Sequence, residues 1–218
     1  MATSPSPDSP KILKGGIALI DNETGHVVRL IALQYNPETL TRSVQIKGVS
    51  GDSGDHVEAL RLKGPPVETI KVEIEIDATD KLEDADASAG AEGIHAQLAA
   101  LETIVYPSSS ALFSNNVQAG AGSIEIAPTS GPLTVFIFGP KRILPVRITE
   151  LSITEESFDI NLNPIRAKVS LGMRVLTVDD LGFEAKGGGL FMAYLQQKEQ
   201  LAQKAAPGTF AAFGITGI

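Results

Sequence analysis

The sequence predicts a β-dominated α+β fold, an antiparallel β-barrel or sandwich with one helix between its strands and a second helix near the C-terminus. Residues 69–77 have the period of a strand with one buried face, and their apolar members are Ile70, Val72, Ile74 and Ile76. Two further β-rich segments, 143–158 and 165–178, are joined by a short turn, which predicts a long antiparallel hairpin. At 218 residues and 43% hydrophobic composition, the chain can fill one sizeable core.

The first part of the chain predicts an arm followed by a hairpin. Residues 1–11 contain three prolines, which favours a flexible, partly extended arm. Two β-rich runs, 13–20 and 27–33, flank a polar loop that ends in glycine, and this pattern is typical of a hairpin. Because proline has no backbone donor, Pro37 ends the second strand, and residues 43–49 predict a further short one.

Residues 80–131 predict an insertion between strands. The acidic stretch 80–92 predicts a loop, and 108–131 predicts irregular structure. Between them, apolar residues at helical spacing predict one amphipathic helix that ends before Pro107. These residues are Ile94, Leu98, Leu101 and Val105. After the insertion, residues 133–138 predict an apolar strand closed by a Gly-Pro pair.

Residues 179–218 predict a C-terminal segment that follows a β domain of residues 12–178. Gly187-Gly188-Gly189 predicts a flexible hinge, and the apolar residues after it predict an amphipathic helix. The tail 207–218 is apolar without a helical period, which marks a contact site.

Charges on the predicted hairpin are placed to pair across its strands. If the strands are antiparallel, the acidic residues of the first come near the basic residues of the second. The acidic residues are Glu155, Glu156 and Asp159, and the basic residues are Arg166 and Lys168. Adjacent strand residues point to opposite faces, so Glu155 and Glu156 predict a charged rim rather than a hydrolytic carboxylate pair.

Composition restricts the classes of function. A net charge of −8 argues against a nucleic-acid partner, since phosphates attract basic surfaces. With 5% aromatic residues and no Trp, a stacking platform for bases or sugars is not expected. The absence of Cys fits assembly in a reducing cytoplasm. The sequence shows no signal-peptide pattern and no apolar run of membrane-spanning length, so no membrane insertion is expected.

The sequence predicts no catalytic, metal or cofactor site. The three histidines, His26, His56 and His95, have no ligand spacing between them. Residues 77–86 are acidic but lack the spacing of a calcium loop. The serine run 108–110 has no nucleophile-elbow glycines around it. We therefore expect a protein that is not an enzyme.

Two separated segments resemble one family in the same order along the chain. The first is Val28-Arg29-Leu30-Ile31-Ala32-Leu33-Gln34-Tyr35-Asn36-Pro37-Glu38-Thr39-Leu40-Thr41-Arg42. The second is Leu144-Pro145-Val146-Arg147-Ile148-Thr149-Glu150-Leu151-Ser152-Ile153, with Phe158-Asp159 and Leu162-Asn163-Pro164-Ile165-Arg166-Ala167-Lys168-Val169 after it. These motifs resemble the tube-type domain of contractile injection systems, which are phage-tail-like particles, and the similarity covers most of residues 12–178.

The resemblance implies a tube-like barrel or sandwich whose extended strands join copies into a ring, commonly six-fold, around a channel. Relatives of the adaptor type connect the inner tube to the baseplate hub or spike, and many carry a peptidoglycan-binding LysM module, which this sequence does not show. The implied partners are other copies of this chain, the inner tube protein and the hub or spike protein. The implied location is a particle assembled in the bacterial cytoplasm.

The expected assembly interface combines the Asn-Pro turn with the long hairpin. Its residues are Tyr35, Asn36, Pro37, Arg147, Glu155, Glu156, Arg166, Lys168, Val169 and Leu171. Replacing Val169 and Leu171 by Asp is expected to abolish assembly. An inner-tube or terminal-cap subunit is the alternative within the same class, and a soluble ligand-binding β-sandwich is the alternative from another class.

Overall fold

The computed structural model describes residues 12–48, 61–79, 92–120, 131–205 and 207–217. The predicted N-terminal arm and most of the predicted acidic loop lie outside these residues. The strands are β1 Gly16–Ile20, β2 Val27–Ala32, β3 Leu40–Gln45, β4 Val67–Asp77, β5 Leu133–Ile137, β6 Ile143–Phe158 and β7 Pro164–Val175. The helices are α1 His95–Glu102, α2 Ser109–Gly120, α3 Val178–Leu181 and α4 Lys186–Gln203, with a 3-10 turn at Phe210–Phe213.

The seven strands form one antiparallel sheet in the order β2-β1-β5-β6-β7-β4-β3. The β-dominated α+β class predicted from the sequence is therefore confirmed. The sheet is not closed, since β2 and β3 are its two edges among the described strands, so the predicted barrel is not confirmed. The long hairpin is present, with Ile153 opposite Val169 and Phe158 opposite Pro164.

The sheet curls around one core although no strand pairing closes it. The edge strands are consecutive in sequence, and residues 33–39 connect them. Just after β2, the Gln34 side chain donates to the Asp77 carbonyl at 2.6 Å and accepts from the Asp77 amide at 3.0 Å. This pair of bonds joins one sheet edge to the end of β4, next to the opposite edge. The enclosed core includes Ile17, Ile74, Phe136, Leu144, Val169, Leu171 and Met173.

The described residues of the insertion form two helices where the sequence predicts one. Leu98 and Leu101 of α1 are buried in the core, as predicted, but the helix ends at Glu102 and Val105 is 43% exposed. The prediction of irregular structure over 108–131 is wrong for residues 109–120, which form α2. No α2 residue is buried. Its Ser and Asn residues favour turns and helix ends, which explains why the sequence predicts irregular structure here.

The predicted glycine hinge is wrong, because Gly187, Gly188 and Gly189 form the first turn of α4. Gly187 and Gly188 are buried. A β-carbon on Gly188 would lie 1.9 Å from the Gly182 carbonyl oxygen, so the helix start approaches that turn too closely for any side chain. The glycines are required for close packing, and α4 places Phe191 and Tyr194 in the core.

Candidate assembly surface

Most of β6 has one edge with which none of the described strands pairs. Only residues 143–146 of β6 pair with β5, whereas the pairing with β7 runs from Val146 to Phe158. Within the described residues, no strand pairs with the other edge of residues 147–158. An unpaired edge presents backbone donors and acceptors in a row, which is a template for pairing with another chain. This stretch is named the free β6 edge.

The outer face of strands β3, β4, β7 and β6, which points away from the core, is polar. Alternation along β4 places Lys71, Glu73 and Glu75 on this face, opposite its buried isoleucines and valine. The register then adds Ser170, Lys168 and Arg166 from β7 and Ser152, Thr154 and Glu156 from β6. We call this surface the polar face.

Ion pairs on the polar face connect neighbouring strands. Arg166 donates to an Asp77 carboxylate oxygen at 2.6 and 2.8 Å, and lies 3.7 Å from Glu75. Lys168 lies 3.3 Å from Glu156. The predicted pairing of the hairpin charges is therefore correct for Lys168, whereas Arg166 pairs with β4 instead. Asp159 accepts hydrogen bonds from Asn163 within the turn.

Asp77 is the least exposed carboxylate of this network, with 12% of its side chain accessible. Partial burial pushes its pKa upward, but hydrogen bonds from Thr79 and Arg166 outweigh burial and hold the pKa below the ordinary value. The same contact raises the pKa of Arg166. Both groups are therefore charged across the neutral range, and the pair fixes the end of β4 to the start of β7.

The predicted interface residues of the Asn-Pro turn have unequal roles in the described structure. The Asn36 side chain accepts from the Gly15 amide at 2.8 Å and donates to the Leu13 carbonyl at 2.8 Å. Asn36 therefore ties the turn to the residues that precede β1. Tyr35 is 46% exposed and, with Pro37, borders a surface cavity of about 470 Å³ beside β4.

The hairpin residues of the predicted interface divide between the surface and the core. Arg147, Glu155, Arg166 and Lys168 are exposed, and Glu156 is half-buried. In contrast, Val169 is 0% exposed and Leu171 is 2% exposed. These two side chains face the subunit's own core, so they cannot form a surface for another copy. The Asp substitutions expected to abolish assembly would act on folding first.

Sequence reasoning missed a β-bulge in β6. The register with β7 shifts between Ile148 and Glu150, so Thr149 is an extra residue in the strand. The signal was present in the sequence, because apolar residues occupy even positions up to Ile148 and odd positions from Leu151. A strand keeps this alternation strictly, so a change of parity marks an inserted residue.

Neither metal binding nor membrane spanning finds support in the described residues. Among them, no group of three or more His, Asp or Glu side chains could hold a metal ion. No helix in the described ranges is both long and apolar enough to cross a bilayer. A scan of protein-family models and a search of curated proteins both return no match for the chain.

Proposed function

We propose that the chain is a non-enzymatic structural subunit of a contractile injection particle. In this proposal, copies form a closed ring that acts as an adaptor between the inner tube and the baseplate hub or spike. The observation that carries the proposal is the free β6 edge, a long strand edge with which no described strand of the same copy pairs. The motif resemblance supplies the kind of particle.

The topology supports joining copies through β6 and β3. Strands β6, β7, β4 and β3 are neighbours in the sheet and alternate in direction, so β6 and β3 run in opposite directions. When a second copy is placed beside the first by rotation about an axis along the strands, its β3 lies antiparallel to the free β6 edge. This contact is head-to-tail, and head-to-tail contacts generate rings when the rotation closes.

The distribution of mass indicates which face lines the channel of such a ring. The core lies on the side opposite the polar face, and strands β1, β2 and β5 and helices α1 and α4 all pack against this core. If these elements pointed toward the axis of a ring, those of neighbouring copies would collide there. The polar face is therefore the side that would point inward. The proposed channel is then lined by strand-connecting ion pairs such as Arg166–Asp77 and Lys168–Glu156.

One observation favours the alternative of a soluble ligand-binding protein. A surface cavity of about 390 Å³ lies between β2 and α1, lined mainly by apolar side chains that include Ile31, Ile74 and Leu101. The Gln97 side-chain oxygen is buried beside it and has no hydrogen-bond partner among the described residues. Such a cavity has the size of a small-ligand site. A ligand-binding protein of this kind need not form rings, so ring formation separates this alternative from the first proposal.

Disulfide cross-linking tests the proposed ring directly, because the chain has no cysteine of its own. We propose the double variant Ser43→Cys with Ser152→Cys, which places one thiol on β3 and one on β6, both on the polar face. Within one copy these positions are separated by three strand spacings of about 4.8 Å, too far for a disulfide. Oxidation is therefore expected to produce a ladder that ends in one closed multimer.

The matched control is Ser43→Cys with Ser170→Cys, since Ser170 lies on the same face but on the interior strand β7. This pair is expected to give no ladder. A second β6 position, Thr154→Cys, allows for a different register of the two edges. Light scattering of the unmodified protein tests whether it forms a ring. Electron micrographs of particles in which the chain is labelled test where in the particle that ring lies. A strictly monomeric protein with no ladder from either β6 position would exclude the proposal.

A further inference from the structure

The bulge at Thr149 coincides with the point where β6 leaves β5. Pairing with β5 ends at Val146, and the register with β7 shifts three residues later, between Ile148 and Glu150. A bulge bends its strand and increases the local twist. The direction of the free β6 edge relative to the rest of the sheet is therefore set at this position.

Gly172 on β7 accommodates the bulge. It lies opposite Glu150, and a β-carbon on Gly172 would lie 2.9 Å from the β-carbon of Glu150. Gly172 is also opposite Lys71 of β4, and the Glu150 carboxylate reaches across the glycine to within 3.1 Å of the Lys71 amine. A side chain at Gly172 would have to displace the bulged segment, so the glycine and the bulge form one unit.

Burial of the core does not require the extra residue. Ile148 and Leu151 both pack against the core, and Glu150 lies on the polar face. Without Thr149, these three residues would follow the regular alternation of a strand and keep their faces. Amphipathic patterning alone would therefore produce a straight strand. The bulge is an addition to that pattern, and its effect is on the course of the strand.

We infer that the Thr149 bulge, held by Gly172, sets the angle between neighbouring copies and so the number of copies in the ring. This inference rests on the proposed function, since it concerns the edge through which copies would join. A change in the direction of the free β6 edge changes the rotation that relates one copy to the next. The number of copies that closes a ring follows from that rotation.

Native mass spectrometry of the full chain tests the inference with two variants. Deletion of Thr149 removes the bulge and leaves a regular strand, and Gly172→Ala displaces it by steric contact. Both are expected to lower the population of wild-type-sized rings about tenfold or more, which corresponds to about 1.4 kcal/mol. Rings of a different copy number, or open chains, are expected in their place.

Two controls separate the bulge from other effects. Lys71→Gln removes the ion pair with Glu150 but keeps the bulge, and Gly189→Ala adds a methyl group at an open helical position. Both are expected to keep the wild-type copy number. Wild-type rings with unchanged copy number in both bulge variants would overturn the inference alone. Loss of the folded circular dichroism spectrum in both would also overturn it, whereas a monomeric wild-type protein would overturn the proposed function as well.

Discussion

The two halves of the sheet differ in how their outer faces are covered. Where β1 and β5 pair, the outer face is apolar and helices α3 and α4 pack on it. The strand residues in this contact are Ala18, Ile20, Leu133 and Val135, and the helix residues are Leu181 and Leu190. Across β6, β7, β4 and β3, the outer face is the polar face, and no described helix packs on it. The comparison shows that both faces of one half of the sheet are buried, whereas the outer face of the other half is exposed and can contact another molecule.

The largest expected loss of stability separates the core-facing side of β7 from its exposed side. Val169→Asp would place an unpaired charge in the core, where Val169 is 0% exposed. We expect a loss of about 4 kcal/mol or more in the free energy of unfolding, which approaches the whole stability of many domains. Chemical denaturation followed by circular dichroism measures this loss.

The matched control for that prediction is Ser170→Asp, one residue further along β7. Ser170 is exposed on the polar face, so a new carboxylate there keeps its hydration. The new carboxylate lies opposite Glu73 on an interior strand, so the expected loss is about 1 kcal/mol, well below that of Val169→Asp. Equal destabilisation by the two variants would contradict the assignment of one face of β7 to the core and the other to solvent.

A smaller effect is expected where α4 begins against the covered half. Gly188→Ala would bring a methyl group to 1.9 Å from the Gly182 carbonyl oxygen, a contact with backbone that no rotamer change relieves. We expect a loss of about 2 kcal/mol in the free energy of unfolding. Thermal or chemical denaturation of the purified variant provides the measurement.

Gly189→Ala is the control for the helix start, since no described atom other than those of its chain neighbours and the helix backbone lies within 4 Å of the added methyl group. Alanine is the better helix former, so this variant is expected to gain about 0.5–1 kcal/mol. The opposite signs of neighbouring substitutions would show that close packing determines the glycine at 188. Stabilisation by both would instead restore the interpretation of this segment as a loose hinge.

The sequence predicted the strands better than it predicted their surroundings. Alternation in β4 and the turn around Pro164 are local properties, so the hairpin and its antiparallel pairing could be inferred without tertiary information. The glycines at 187–189 could not be interpreted in the same way, because their role depends on a turn that packs against them. Helix α2 was missed because its sequence is rich in Ser and Asn, which favour turns and helix ends over helix interiors.

The candidate site was predictable only in outline. Charged residues such as Lys168 and Glu156 belong to the polar face as expected. Val169 and Leu171 were assigned to an interface because alternation identifies an apolar face but not whether that face packs in the subunit's own core or against another copy. Long-range contacts decide that question, and the same contacts leave the free β6 edge unpaired.

The smallest expected effect concerns the charge network at the end of β4. Hydrogen bonds from Thr79 and Arg166 hold the pKa of Asp77 below its ordinary value despite partial burial. A carboxylate with a lowered pKa in the folded state contributes stability above its unfolded pKa of about 3.9, and loses it as pH falls through the folded pKa. Asp77→Asn is therefore expected to cost about 1–2 kcal/mol at neutral pH. The difference from wild type should vanish in strongly acidic solution.

Denaturation of the wild type and the variant at a series of pH values tests this prediction. Glu73→Gln is the matched control, because Glu73 is exposed on the same face of β4 and forms no ion pair with the described residues. Its effect on stability is expected to stay near zero across the series. A cost of Asp77→Asn that persists unchanged below pH 3 would contradict this prediction. It would mean that the shape of the Asp77 side chain, and not its charge, holds β4 to β7. The ion pair between Arg166 and Asp77 would then contribute less to stability than its short distances indicate.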